Sequence, residues 1–401
     1  MTPSPTARSG DVLAGVTVSA AELAAAAAGG NALTVDLLKQ LELGRPSGNF
    51  VDSAYSLATA LAMLQLGARG DTEAQIAAVL HSSGATSAQQ AATWKQLDAA
   101  LRAAAQGDGI TLDVANALWL QQGLPVDASF LETLAKNFAA PSTPVDFHGN
   151  PQGAADLVNH WVSEATHGMI PTVVSADDVR PLLFLLADAI YFDAHWALPF
   201  PATSTADGPF FRPDGSRVST PMMHGHLWTL PVYSGGGVTA VELPYVGGHF
   251  AADVIMPASQ PIAAFVAALS PESLAAIEGK LVSTPYVDLT LPKFEISSQL
   301  SLQTVLSALG MPDAFDSAHA DFSGIDGRTD LYIGLAQQRT RMQVDEAGTT
   351  AAAATVIGGL GGGPGPVPVE VVIDHPFLFV VRDRASGAIV FTAQVTDPSA
   401  R

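Results

Sequence analysis

VDEAGTTAAAATVIGGLGGGPGPVPVEVVIDHPF, residues 344–377, is the stretch on which the reading of this chain turns. It opens as an alternating, strand-like segment and dissolves into alanine, glycine and proline. It resumes as a second strand-like segment, VPVEVVIDHPFLFVV (367–381). A loop this long with no structure of its own is either functional or disordered. The remainder of the sequence has to decide which.

The 401 residues suit one large domain or two to three small ones. A composition 48% hydrophobic and 14% charged can bury a substantial core and is not that of a disordered chain. Eighteen basic against 38 acidic residues, net charge -20, exclude the clustered cations that nucleic acid or heparin-like partners require. With no cysteine, disulfides, thiolate metal sites and cysteine nucleophiles are excluded together. The N-terminal run AAELAAAAAGG (20–30) is broken by Glu22 and lacks a basic flank, so neither a signal peptide nor a membrane span is expected. Residues 1–28 read as a poorly structured leader, and 29–401 as a single domain.

Periodicity places helices early and strands late. Leu33, Leu37, Leu38 and Leu41 fall at helical spacing, ending at Gly44–Pro46. SAYSLATALAMLQLGARG (53–70) reads as a buried helix, apolar all round, and another begins at Asp71–Thr72. TLDVANALWLQQG (111–123) has strand character, FLETLAKNF (130–138) is helical, and Val158, Trp161, Val162 and Ala165 share one face of an amphipathic helix. LLFLLADAIYFDAHW (182–196) reads as a central strand. Short strands with Gly and Pro turns fill 210–256 and helices return at 261–279. A strand at YVDLTLPKFEI (286–296), a helix at LSLQTVLSALG (300–310) and further strands complete an α+β pattern.

Motifs of catalysis are missing: no G-x-S-x-G, H-E-x-x-H, Walker loop or G-x-G-x-x-G before a helix occurs. GGLGGGPGP (358–366) has no Lys-Ser/Thr and no helix behind it. His224 and His226 read as a structural or exposed pair, because no third ligand follows at zinc-like spacing. Asp177–Asp178 reads as a solvated helix start. No metal, cofactor or enzymatic activity is expected.

Several stretches from about Asn31 onward resemble a serpin: NFVDSAYSLATALAMLQLGARGDT (49–72), with Asn49, Ser53 and Ser56 in place; VNHWVSEATHGMI (158–170); and ADAIYFDAHWALPF (187–200). TPMMHG, ELPYVGG, LPKFEI and LGMPDAFDSAHADFSGI follow in the family's order, and VDEAGTTAAAAT (344–355) with DHPFLFVVRDRASGAIVFTAQVTDP (374–398) is the most specific part. The resemblance implies the serpin fold, with three β-sheets, about eight or nine helices and an exposed reactive-centre loop at about 346–369. It also implies suicide-substrate inhibition, in which a serine protease cleaves the loop and the freed segment inserts as a new central strand. A serpin-fold binding or chaperone protein without inhibition is the alternative.

Insertion makes demands that the residues can meet. Alternate side chains of a strand face one side, so Thr349, Ala351, Ala353 and Thr355 would face the core, and all are small. Bulk forced into a packed core costs about 1–3 kcal/mol. Gly348 supplies backbone freedom at the hinge. By resemblance Glu346 and Lys293 pair where the loop enters the sheet (the breach), with Trp196 nearby. The shutter beneath the central strands would comprise Ser53, Ser56, Asp188 and Gln338; the last two replace the family's usual Asn and His, and an Asp–Gln pair is expected instead. Ala54 replaces a common proline.

Counting about seventeen residues from the hinge glutamate puts the scissile bond at Gly362–Gly363. Leu360 is the only sizeable side chain nearby, which favours Leu360–Gly361. No Arg or Lys follows the hinge within the loop, so the expected partner is an elastase-, chymotrypsin- or subtilisin-like serine protease. Nucleic acid, membrane and heparin partners are not expected, and a monomer is. The resemblance implies an extracellular protein, a cytoplasmic one staying open, and an Ala/Gly-rich, Lys-poor composition points to a bacterial source.

Overall fold

The computed structural model describes residues 13, 15–44, 47–106, 109–140, 142–349 and 367–400. Four helices open the chain: α1 (Ala20–Gly44), α2 (Ala54–Gly67), α3 (Gly70–Val79) and α4 (Ser87–Ala104). The expected leader is therefore wrong for 20–28. Ser19 and Glu22 form a capping box, Ser19 N–H donating to Glu22 Oε2 at 2.8 Å and Glu22 N–H to Ser19 Oγ at 3.2 Å. The alanine run behind that cap has the highest helix propensity of any composition. Ser53 caps α2 by accepting from Ser56 N–H, and all of α2 except Ala60 is buried. The sequence reading leaves out α4, although Trp94, Leu97 and Leu101 fall at helical spacing, because alanine and glutamine fill the positions around them.

The remaining helices are α5 (Ala128–Phe138), α6 (Pro151–Ala165), α7 (Ala176–Val179), α8 (Ile262–Ala268), α9 (Pro271–Glu278), α10 (Leu302–Ala308) and α11 (Ser323–Asp326). Among the described residues the count passes the expected eight or nine because α7 and α11 are four-residue turns. No described helix is long and apolar enough to cross a membrane.

The strands are β1 (Phe50–Asp52), β2 (Ile110–Gln121), β3 (Ser142–Val145), β4 (Phe184–His195) and β5 (Ala206–Phe211). Then come β6 (Arg217–Gly235), β7 (Val238–Pro244), β8 (Phe250–Pro257), β9 (Val282–Pro292) and β10 (Phe294–Ser301). β11 (Gln337–Val344), β12 (Gly348–Thr349), β13 (Val369–Val372), β14 (Phe377–Asp383) and β15 (Ile389–Val395) complete them. One sheet has the order β10-β11-β12-β4-β2-β3; a second runs β1-β15-β14-β8-β7-β6-β9-β13, with β5 on β6. The three expected sheets thus form two hydrogen-bonded groups among the described residues. The cause is β6, whose 19 residues run through both halves of the larger group. Its register against β9 slips between Gly225 and Trp228 and again before Leu230, and there the ladder is interrupted.

The core lies between the sheets. Phe192 of β4 meets Tyr245, Phe250 and Phe391, with ring centroids 5.3, 5.7 and 6.2 Å away. On the outer face of the six-stranded sheet, α6 buries Val158 and Val162, the latter against Ile170 and Ala189. That cover is partial, since Ser297, Gln299 and Ser301 on the same sheet's β10 stay exposed.

Candidate functional site

Strand β4 pairs with β2 along its length, from Ile110↔Ala194 to Leu120↔Phe184. On its other side, among the described residues, it meets only β12, through Gly348↔His195 and Thr349↔Ala194. β11 meets β12 through Val344↔Thr349. Below these two residues the seam between β4 and β11 holds no strand among the described residues. A cavity of about 110 Å³ fills that gap, walled by Phe184–Ala187, Ala189 and Gln337–Arg339, with Ser56 of α2 on one side and Val158 of α6 on the other. A water needs about 10–15 Å³ on this measure, so the seam is underpacked.

The chain segment above the seam is held by a dense set of bonds. The Trp196 indole N–H donates to Asp345 O at 3.0 Å and its backbone N–H to Ala347 O at 2.8 Å. Phe200 N–H donates to Glu346 O at 2.8 Å. Lys293 Nζ and Thr205 Oγ1 each donate to the Glu346 carboxylate at 2.7 Å. Burial raises the Glu346 carboxyl, but the hydrogen bonds from Lys293 and Thr205 outweigh it and hold the pKa below the ordinary value. Trp196 stacks on Tyr245, centroids 4.6 Å apart and planes 9° from parallel. The Tyr245 hydroxyl, kept protonated by burial, lies 2.7 Å from Thr349 Oγ1, and Thr349 is buried.

Gly348 also meets a packing demand. Its φ is not among the positive ones; a Cβ there would stand 2.0 Å from Ala194 O. The glycine supplies close approach to β4, not left-handed backbone. Ala351, Ala353, Thr355 and the candidate bonds at Leu360, Gly361, Gly362 and Gly363 lie outside the described residues.

Under the seam, Ser53 Oγ donates to Val390 O at 2.7 Å while accepting from Ser56 N–H at 3.1 Å. The Gln338 amide reads the backbone of Ser53 from both ends: its Oε1 accepts from Ser53 N–H at 3.1 Å and its Nε2 donates to Ser53 O at 2.9 Å. Asp188 lies on β4 opposite Asn116 of β2; its side chain lies outside the described residues. Ala54 fills the first helical position of α2, where proline would fit.

Sequence reading missed Thr205 and Tyr245, which no local pattern marks and only the fold brings to the hinge. It also stopped at His224 and His226 for want of a third donor. Asp288 of β9 supplies one: donor atoms of all three residues lie within 4.8 Å of one another. A search by sequence spacing cannot find a ligand contributed by another strand. Asp178 caps α7 in a box with Ser175.

The chain matches the family description Serpin (serine protease inhibitor) over residues 28–398. It is 34% identical to a serpin-like protein of Thermococcus kodakarensis, covering 92% of this chain and 84% of that one. Plasminogen activator inhibitor 1 of Neovison vison is 32% identical, with 91% of both chains covered. The crystal structure of native protease nexin-1 with heparin superposes with a TM-score of 0.81 at 26% identity, over 94% of this chain and all of that one.

Proposed function

The chain belongs to the serpin family of serine protease inhibitors, which are not enzymes, and we propose that it traps a target serine protease as a suicide substrate. The protease's serine attacks a loop carbonyl; the peptide C–N bond breaks, the leaving amine takes a proton, and an ester keeps the N-terminal part of the loop on the protease. The freed segment then enters the seam between β4 and β11. One observation carries this reading: β12 already sits in that seam as a two-residue start of a strand, with an underpacked gap below it.

Thr349 is buried, so on insertion strand alternation would turn Ala351, Ala353 and Thr355 the same way and Thr350, Ala352, Ala354 and Val356, none of them charged, the other way. Ladder bonds of about 0.5–1.5 kcal/mol each do not outweigh about 1–2 kcal/mol per ordered residue. Filling the gap and burying apolar side chains has to supply the rest. Gln338 is the polar lock on the closed seam, and Asp188 is its expected partner there. The domain is single, with its loop at about 346–369, and the bait is Leu360–Gly361 or Gly362–Gly363, read by an elastase-, chymotrypsin- or subtilisin-like pocket.

Incubation with these three proteases should give a covalent complex that survives SDS, and sequencing the released C-terminal peptide should identify the cleaved bond. Clean cleavage of the loop by all three, with no complex, would overturn trapping of these proteases and leave a serpin-fold binding protein.

A further inference from the structure

The strand that receives the chain after the loop, β13, lies beside β9, and β9 lies beside β6. On these strands His224, His226 and Asp288 converge. Two residues apart on one strand, the histidines share a face. His226 Nδ1 stands 2.8 Å from Asp288 Oδ1. His224 Nδ1 stands 3.2 Å from Thr290 Oγ1. Neither the trapping reading nor the packing of the core uses any of these side chains.

We propose that His224, His226 and Asp288 bind a divalent transition-metal ion, Zn²⁺ being the best fit, with the remaining position open to water or a further carboxylate. Two imidazoles and a carboxylate are a donor set for Zn²⁺, Cu²⁺, Ni²⁺ or Co²⁺; Ca²⁺ and Mg²⁺ prefer oxygen alone. Donors around a tetrahedral Zn²⁺ at about 2.0–2.1 Å stand about 3.3 Å from each other. The present spread of up to 4.8 Å leaves small side-chain rotations to make, and His226, with a side chain 62% exposed, has room to turn. His224 stands where β6 and β9 pair and Asp288 on β9 beside that ladder, while His226 follows where it is interrupted, so ordering on binding falls mainly on His226.

The surroundings fit the same ion. A proton on His224 Nδ1 donated to Thr290 Oγ1 leaves the other ring nitrogen free to ligate, which is the outer support that metal-bound histidines need. Glu370 of β13 stands in register with Asp288 and is exposed, a carboxylate on the adjoining strand for the open position. A bound cation would tie β6 to β9 next to the strand through which the chain returns from the loop, whether or not the protein traps proteases.

The test is titration of Zn²⁺ alone into the full chain, without a polyhistidine tag and freed of metal by chelator, followed by calorimetry. One saturable site is expected, with Co²⁺ giving the visible bands of a tetrahedral centre. H226A and D288N should each weaken binding by at least about a hundredfold, and T290V by about tenfold, as loss of outer support does. His160→Ala on α6 should leave it unchanged. Zn²⁺ should also raise the melting temperature of the parent chain and not of H226A or D288N, since only the folded state gathers the donors. Absence of saturable binding, or binding unchanged in both variants with their circular dichroism intact, overturns the proposal.

Discussion

Gly348 and Ala194 approach so closely that a Cβ on the glycine would lie 2.0 Å from the Ala194 carbonyl oxygen. The seat of β12 depends on that missing side chain. Gly348→Ala should therefore push Gly348–Thr349 out of the sheet or displace β4, lowering stability by about 1–3 kcal/mol. Thermal denaturation and the rate of limited proteolysis near the hinge report it; an unchanged melting temperature together with an unchanged rate would count against a steric role.

Lys293 and Glu346, 2.7 Å apart, are half screened, with side-chain exposures of 36% and 17%. Lys293→Met should cost no more than about 1 kcal/mol at neutral pH. Because the folded Glu346 carboxyl titrates below its ordinary value, its contribution is present above the unfolded carboxylate pKa and is lost as pH falls through the folded one. Parent and variant melting temperatures should converge in acid. A gap that stays constant with pH would argue against the pair.

Asp52 of β1 is fully buried, and neither carboxylate oxygen has a hydrogen-bond partner among the described residues. Burial pushes its pKa up to about 8. Burial likewise raises Asp253 to about 6 and Glu278 to about 7. These groups hold protons when folded that they lose when unfolded, so their contribution is complete below the unfolded values, near pH 4, and falls away as pH rises to about 8. Asp52→Asn should flatten the decline of melting temperature between about pH 6 and 8, the upper part of that window. An identical pH profile would show that Asp52 does not hold the proton.

Removing the Gln338 amide strands the buried Ser53 N–H and leaves Ser53 O with only its bond from Leu57 N–H. Gln338→Leu should cost about 1–3 kcal/mol, read by urea denaturation, and should loosen the closed seam. Unchanged stability and unchanged inhibition would remove Gln338 from the lock.

Thr349 is the first inward-facing residue of the inserting segment and already bonds Tyr245. Thr349→Arg would bury a charge with no partner and should convert an inhibitor into a substrate, seen as loop cleavage without an SDS-stable complex. A variant that still trapped protease would defeat the insertion argument.

Much of the architecture was legible because it rests on local patterns. The period of Leu33, Leu37, Leu38 and Leu41 marks α1, and the length of LLFLLADAIYFDAHW marks β4. The cap of α1 was overlooked although Ser19 and Glu22 spell a capping box, and α4 was missed because its apolar positions are diluted by alanine. At the site, Lys293, Glu346 and Trp196 were legible only through family resemblance. Their spacing says nothing about contact.

The sequence by itself determined that the segment after Glu346 is small, uncharged and able to alternate along a strand, because these are properties of side chains alone. The tertiary structure decided why Gly348 must be glycine, how Gln338 is used, and that Asp288 stands with two histidines. Each of these depends on distances between strands remote in sequence. Local composition cannot encode such distances, and only the packed sheets fix them.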